Sequence, residues 1–115
     1  MAVSVAGGDG QDQATLQVLV DMIDFGMTPA EAVTAPRFGT NHHLGSFRQR
    51  PPELGSLLIY REVGEDTIKD LQRRGHKVKV SRPPLWSPTA LRIDPKTGKI
   101  EAAGDPRAKR HAAAY

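Results

Sequence analysis

The chain has 115 residues, 38% of them hydrophobic and 5% aromatic, with 16 Lys and Arg against 13 Asp and Glu for a net charge of +3. That length fits one domain or part of one, and so few large core fillers suggest a piece that finishes its core against another chain. The lack of cysteine excludes disulfides, thiolate metal sites and a thiol nucleophile. No apolar run approaches the ~20 residues of a membrane span, and there is no charged-then-apolar leader pattern. The basic residues, Arg48, Arg50, Lys69, Lys77 and Lys109 among them, are scattered and not interleaved with stacking aromatics, so no nucleic-acid partner is expected. Compartment stays undetermined: cytoplasm is the default, and a periplasmic or secreted location is open if a signal lies upstream.

In chain order, Ala2 to Ala6 reads as a short buried strand. Gly7, Gly8 and Gly10 then lead into a helix from about Asp12 to Phe25, stopped by Gly26. Leu16, Leu19, Val20 and Ile23 share one helical face, and Val18, Met22 and Phe25 widen it, which predicts a helix buried over most of its circumference. Thr28-Pro29-Ala30-Glu31 is a capping-box pattern opening a short second helix, which Pro36 closes. A strand is expected around Phe38 to Asn41. Residues 44–55, with Pro51-Pro52, read as an irregular loop.

Leu57 to Tyr60 reads as a strand, and Glu65 to Arg74 as a surface helix with Ile68 and Leu71 inward, ended by Gly75. Lys77 to Val80 alternates as a half-exposed strand, broken at Arg82-Pro83-Pro84. Thr89 to Ile93 and Lys99 to Ala103 pair as a hairpin across Asp94-Pro95-Lys96-Thr97-Gly98. The small, basic tail from Gly104 to Tyr115 is expected to lie across something else. Strands and helices mixed in this order imply an α/β (α+β) layered piece.

The glycine turn is the first candidate for chemistry. Where strand gives way to helix, bare N–H groups and the positive dipole end suit a phosphate, a carboxylate or a transient oxyanion, although glycine is also simply the default turn residue. Asp9 and Asp12 read as helix-capping carboxylates. His42 and His43, adjacent beside a strand, point to opposite faces, and no HExxH-like spacing exists, so no metal is expected. Ser4, Ser46, Ser56 and Ser87 lack a nucleophile-elbow context.

Gly7-Gly8-Asp9-Gly10-Gln11, Leu16-Gln17-Val18-Leu19, Asp24-Phe25-Gly26-Met27, Ala32-Val33 and Ala35-Pro36-Arg37-Phe38 resemble, in order and spacing, the later part of the small subunit of the gamma-glutamyltranspeptidase family. Arg74-Gly75-His76-Lys77-Val78 and Asp105-Pro106-Arg107 recur where that family has similar motifs, so the resemblance spans nearly the whole chain. It implies part of a four-layer αββα N-terminal-nucleophile hydrolase, with residues 1–115 as one partial domain. It also implies that the amides of Gly7 and Gly8 stabilise an oxyanion during acyl transfer. Ala6 stands where the family often has proline. Arg37, Asp105 and Arg107 are implied as supporting residues, the arginines tying down loops or chain carbonyls.

The family's nucleophile is a threonine at the start of the small subunit, whose free amino group serves as its own base. It lies well upstream of the glycine pair, whereas six residues precede Gly7 here. The implied partners are therefore a large subunit and a threonine-bearing segment, the implied substrate a gamma-glutamyl compound such as glutathione, and no cofactor is implied. The chain alone is not expected to be active. Residues 45–55 resemble a longer loop of less-studied bacterial relatives, so a related amide acylase stays open. So does an inactive remnant that keeps the fold as an interaction fragment.

Overall fold

The computed structural model describes residues 1–46, 50–82 and 84–114. Residues 47–49 of the expected loop, Pro83 of the expected strand break and Tyr115 of the tail lie outside them. The chain divides into two compact units, Met1–Ala35 with Trp86–Tyr115, and Pro36–Leu85.

Unit 1 holds β1 (Ala2–Ala6), α1 (Gln11–Ile23) and α2 (Pro29–Thr34) from its first segment. Its second segment supplies β5 (Ser87–Ile93) and β6 (Ile100–Gly104). The strands form an antiparallel sheet in the order β1-β5-β6, with Val3 opposite Ala90 and Ala90 opposite Ala103. Val18 and Met22 of α1 and Ala32 and Val33 of α2 pack with Ala90, and Val3, Met27 and Ala103 close the cluster. Strand alternation puts Ala2, Leu91 and Ala102, with Ile93 and Ile100, on the other face, and none of these is buried.

Three expectations need correcting here. β1 is an edge strand with Ala2 and Ser4 exposed, not a buried one. Helix α1 buries Ala14, Val18 and Met22, whereas Leu16, Ile23 and Phe25 are 63%, 61% and 69% exposed. Spacing of four residues along a helix keeps side chains on one face, and that face meets small sheet residues that favour close approach over bulk. Neither Asp9 nor Asp12 is the N-cap residue of α1: that position is Gly10, and Asp12 lies in the first turn of the helix.

Around α2 the capping box is complete. The Glu31 amide donates to Thr28 Oγ1 at 3.3 Å and the Thr28 amide to Glu31 Oε2 at 2.8 Å, with Pro29 in the first turn. The β5–β6 hairpin turns as expected, Asp94 accepting from the Lys96 amide at 2.8 Å and from Thr97 Oγ1 at 2.9 Å. Strand β5 begins earlier than expected, at Ser87, and takes in Pro88 near its start. The tail turns back on its own strand: Asp105–Arg107 opens a 3-10 turn, and the backbone of Arg110 lies where a Cβ on Gly104 would sit.

Unit 2 comprises β2 (Phe38–Gly39), β3 (Ser56–Tyr60), α3 (Glu65–Arg73) and β4 (Lys77–Ser81). Strand β3 pairs antiparallel with the two-residue β2 and parallel with β4, so α3 serves as the crossover. Among the described residues, Ile59, Tyr60, Ile68 and Leu85 are its large buried apolar ones, and Leu71 is half-buried. Asp70 binds both Arg73 and Arg74 at the C-terminal end of α3.

Four surface carboxylates are held below their ordinary range. Backbone and hydroxyl bonds from Thr28 do this at Glu31, Arg73 and Arg74 at Asp70, the Lys96 amide at Asp94, and Arg92 with Lys99 at Glu101. A carboxylate with a lowered folded pKa contributes stability above its ordinary value and loses it as pH falls through the folded one. Unfolding free energy is therefore expected to hold from about pH 7 to about pH 5 and to decline below that. Urea midpoints at about pH 7, 5 and 3 check this, and Glu31→Gln should flatten part of the decline. A midpoint that rose on acidification would contradict it.

Candidate functional site

The junction of β1 and α1 is a tight glycine turn. Gly7 has φ 149° and ψ 25°, Gly8 has φ 63°, and residues 8–10 make one 3-10 turn running into the helix. Both backbones are in regions that residues with a Cβ rarely enter. Gly7 and Gly8 are exposed while Gly10 is buried. The arrangement sets two exposed glycines at a helix start, where the dipole favours negative charge. Chemically it suits a carboxylate, a phosphate or an oxyanion that develops during acyl transfer.

Trp86, unmarked by any sequence motif, packs against this turn. A Cβ on Gly7 or Gly10 would collide with its indole ring. Its backbone φ is 61°. One signal was available in the sequence: it is the single tryptophan of a chain that is 5% aromatic.

Asp105 and Arg107 are brought together at the start of the tail. Asp105 is fully buried. Its Oδ1 accepts from the Arg107 amide and Nε, both at 3.0 Å, and its Oδ2 from Arg107 Nη2 at 3.0 Å. Arg107 Nη2 also donates to the Thr34 carbonyl at 3.0 Å, at the end of α2. The Asp105 amide donates to the Pro88 carbonyl at 3.0 Å and its carbonyl accepts from the Arg110 amide at 3.0 Å. A pocket of about 320 Å³ opens nearby, floored by Ala30, Val33 and Ala103, with Arg110 and His111 on its lining; Gly7 and Gly8 are not part of it.

Arg37 belongs to unit 2 and is completely buried. Its Nε donates to the Leu85 carbonyl at 3.2 Å and its Nη2 to the Tyr60 hydroxyl at 3.4 Å. The guanidinium carbon stands 5.5 Å from the Tyr60 ring centroid. The Leu85 amide donates to the same hydroxyl, and the Tyr60 amide to the Arg37 carbonyl at 3.1 Å. Tyr60 was not singled out by the sequence, where it reads only as the end of a strand. Among the described residues no group of three or more His, Asp or Glu is placed to hold a metal, and no helix is long and apolar enough to cross a membrane.

The family model for gamma-glutamyltranspeptidase matches residues 1–115. The chain is 34% identical over 101 residues to the glutathione hydrolase proenzyme of Escherichia coli (strain K12), covering 88% of this chain and 15% of that protein. It is 29% identical over 104 residues to the glutathione hydrolase-like YwrD proenzyme of Bacillus subtilis (strain 168), covering 88% and 18%. The chain thus spans less than a fifth of the length of these curated relatives. A solved cephalosporin acylase from Bacillus halodurans matches with a TM-score of 0.74 at 29% identity, covering 91% of this chain and 18% of that one. Solved gamma-glutamyltranspeptidases at 24% and 19% identity share the mixed α/β fold, each with a TM-score of 0.74.

Proposed function

The chain belongs to the gamma-glutamyltranspeptidase family, and from that premise we propose that it forms the C-terminal part of the small subunit of a gamma-glutamyl-transferring enzyme. In this reading a threonine on another segment attacks the gamma-glutamyl amide of a glutathione-type substrate. The acyl group passes first to the threonine hydroxyl and then to water or an amine. The amides of Gly7 and Gly8 stabilise the tetrahedral oxyanion in both steps, because they are fixed before the charge develops. Arg37, Asp105 and Arg107 serve as supports that tie chain carbonyls and the tail in place.

The observation that carries the reading is the glycine turn itself: two successive exposed glycines with φ 149° and 63° at a helix start, in a chain of this family. The incompletely buried sheet face of unit 1, with Ala2 and Ile93 exposed and Leu91 and Ala102 half-buried, supports a second sheet packing there and hence the four-layer αββα sandwich. The cephalosporin acylase likeness favours one other reading on the same chemistry, a related amide acylase with a different acyl group.

The test begins with the native complex from the source organism, by intact mass and stoichiometry. A heteromer containing a chain that begins in threonine and releases glutamate from glutathione is the expected result. If the chain purifies alone and inactive, it is a remnant and the enzyme reading falls. Within an active complex, Gly8→Ala should lower kcat about 100-fold or more with KM little changed. Within this chain a Cβ on Gly8 meets nothing within 4 Å, while its φ of 63° strains any other residue, so the loss would come from the reshaped turn and its approach to the acyl carbonyl and not from crowding inside the fold.

A further inference from the structure

Trp86 holds a left-handed backbone, φ 61°. For a bulky residue that is an outlier, and such outliers persist only where the surroundings over-determine them. The surroundings here are the glycine turn. A Cβ on Gly7 would meet Cδ1, Cγ and Cβ of Trp86, and one on Gly10 would fall on Nε1, Cε2 and Cζ2. The indole therefore bridges the two glycines on either side of Gly8 and Asp9. Gly10 has φ −89° and ψ −3°, a conformation open to any residue. What demands glycine at that position is the ring, not the backbone.

We propose that Trp86 is the positioning residue of the Gly7–Gly8 turn. Its indole, packed against Gly7 and Gly10, fixes the path of the backbone between them and so the direction in which the amides point. It acts through the turn and not on the reacting atoms. The catalytic consequence rests on the oxyanion reading above; the packing role stands apart from it.

The experiment measures amide ¹⁵N relaxation on the full chain for the native protein, Trp86→Ala and Trp86→Phe. It adds a stability cycle of Gly10→Ala, Trp86→Ala and the double variant. Trp86→Ala should drop the order parameters of Gly7 and Gly8 from about 0.85 to below about 0.6, while the β5–β6 ladder keeps its values. Trp86→Phe should retain most of the order, and it carries the relaxation measurement and the cycle if the alanine variant does not fold. Gly10→Ala should lower the unfolding midpoint strongly alone and far less beside Trp86→Ala, where the new methyl enters the vacated space.

In the assembled enzyme, Trp86→Ala should reduce kcat roughly 10- to 100-fold with KM within about twofold and an unchanged pH profile, the size of effect that misplaced groups produce. Trp86→Phe should restore most of the rate. Unchanged glycine order parameters, or equal effects of Gly10→Ala in both backgrounds, would overturn the proposal. An assembled complex without gamma-glutamyl activity would overturn the oxyanion reading instead, and the relaxation and cycle results would still decide the role of Trp86.

Discussion

Arg37→Ala is expected to lower the unfolding free energy by about 3–5 kcal/mol, from the hydrogen bonds broken in the interior together with the cavity left behind. The side chain is wholly buried, and it donates to both Leu85 and Tyr60. Truncation takes a donor from the buried Leu85 carbonyl, worth about 1–3 kcal/mol, weakens the bonding of the Tyr60 hydroxyl, which keeps the Leu85 amide, and leaves a cavity beside the Tyr60 ring. Arg37→Met should cost less than Arg37→Ala, because it fills the volume and removes the desolvation penalty of the charge. Arg37→Lys should behave nearer to alanine, since one ammonium does not reproduce a planar fork reaching two acceptors. Urea unfolding with constant m-values checks the order. Alanine proving milder than methionine would contradict it.

Asp105→Ala should cost a similar amount, about 3–5 kcal/mol, and should also free the tail. The buried carboxylate accepts three bonds from Arg107, one of them from its main-chain amide, and Arg107 in turn holds the Thr34 carbonyl. Losing the acid releases the 3-10 turn and the arginine together. Asp105→Asn keeps the shape and one acceptor, so roughly half of the loss is expected, a neutral bond being about half as strong as a charge-assisted one. Arg107→Ala should also be severe, because it deprives a buried carboxylate of its counter-charge. The double variant should cost clearly less than the sum of the singles. Limited proteolysis gives the second readout: cleavage after Pro106 should speed up in Asp105→Ala while sites within α1 stay protected. If the singles add and the tail stays intact, the pair is not the anchor of this segment.

Much of the secondary structure was legible because local chemistry dictated it. Thr28-Pro29-Ala30-Glu31 had one reading and forms that capping box; Asp94 to Gly98 had the residues of its turn; the β3–α3–β4 run carried its own periods and stops. The facing of α1 was not legible, because Leu16, Ile23 and Phe25 outweigh Ala14 on any count of hydrophobicity, yet the sheet beneath selects Ala14, Val18 and Met22. At the glycine turn, residue types pointed to bare amides but left the anion open, and only family resemblance narrowed it. The contacts of Trp86 with Gly7 and Gly10, and of Arg37 with Leu85, join residues far apart in the chain. No local rule announces such meetings, and none foresees a left-handed tryptophan.

Strand β1 precedes unit 2 in the chain and its partner β5 follows it. A ribosome therefore delivers Ala2–Ala6 and the apolar helix behind it long before the strand that ladders to them exists. Unit 2, with β2, β3 and β4 all close in sequence, is expected to close its sheet first, since loop closure over short distances is entropically cheaper. Until β5 emerges, Ala2–Ala6 lacks its ladder partner and the inner face of α1 lacks Ala90, the kind of surface that holdase chaperones shield during translation.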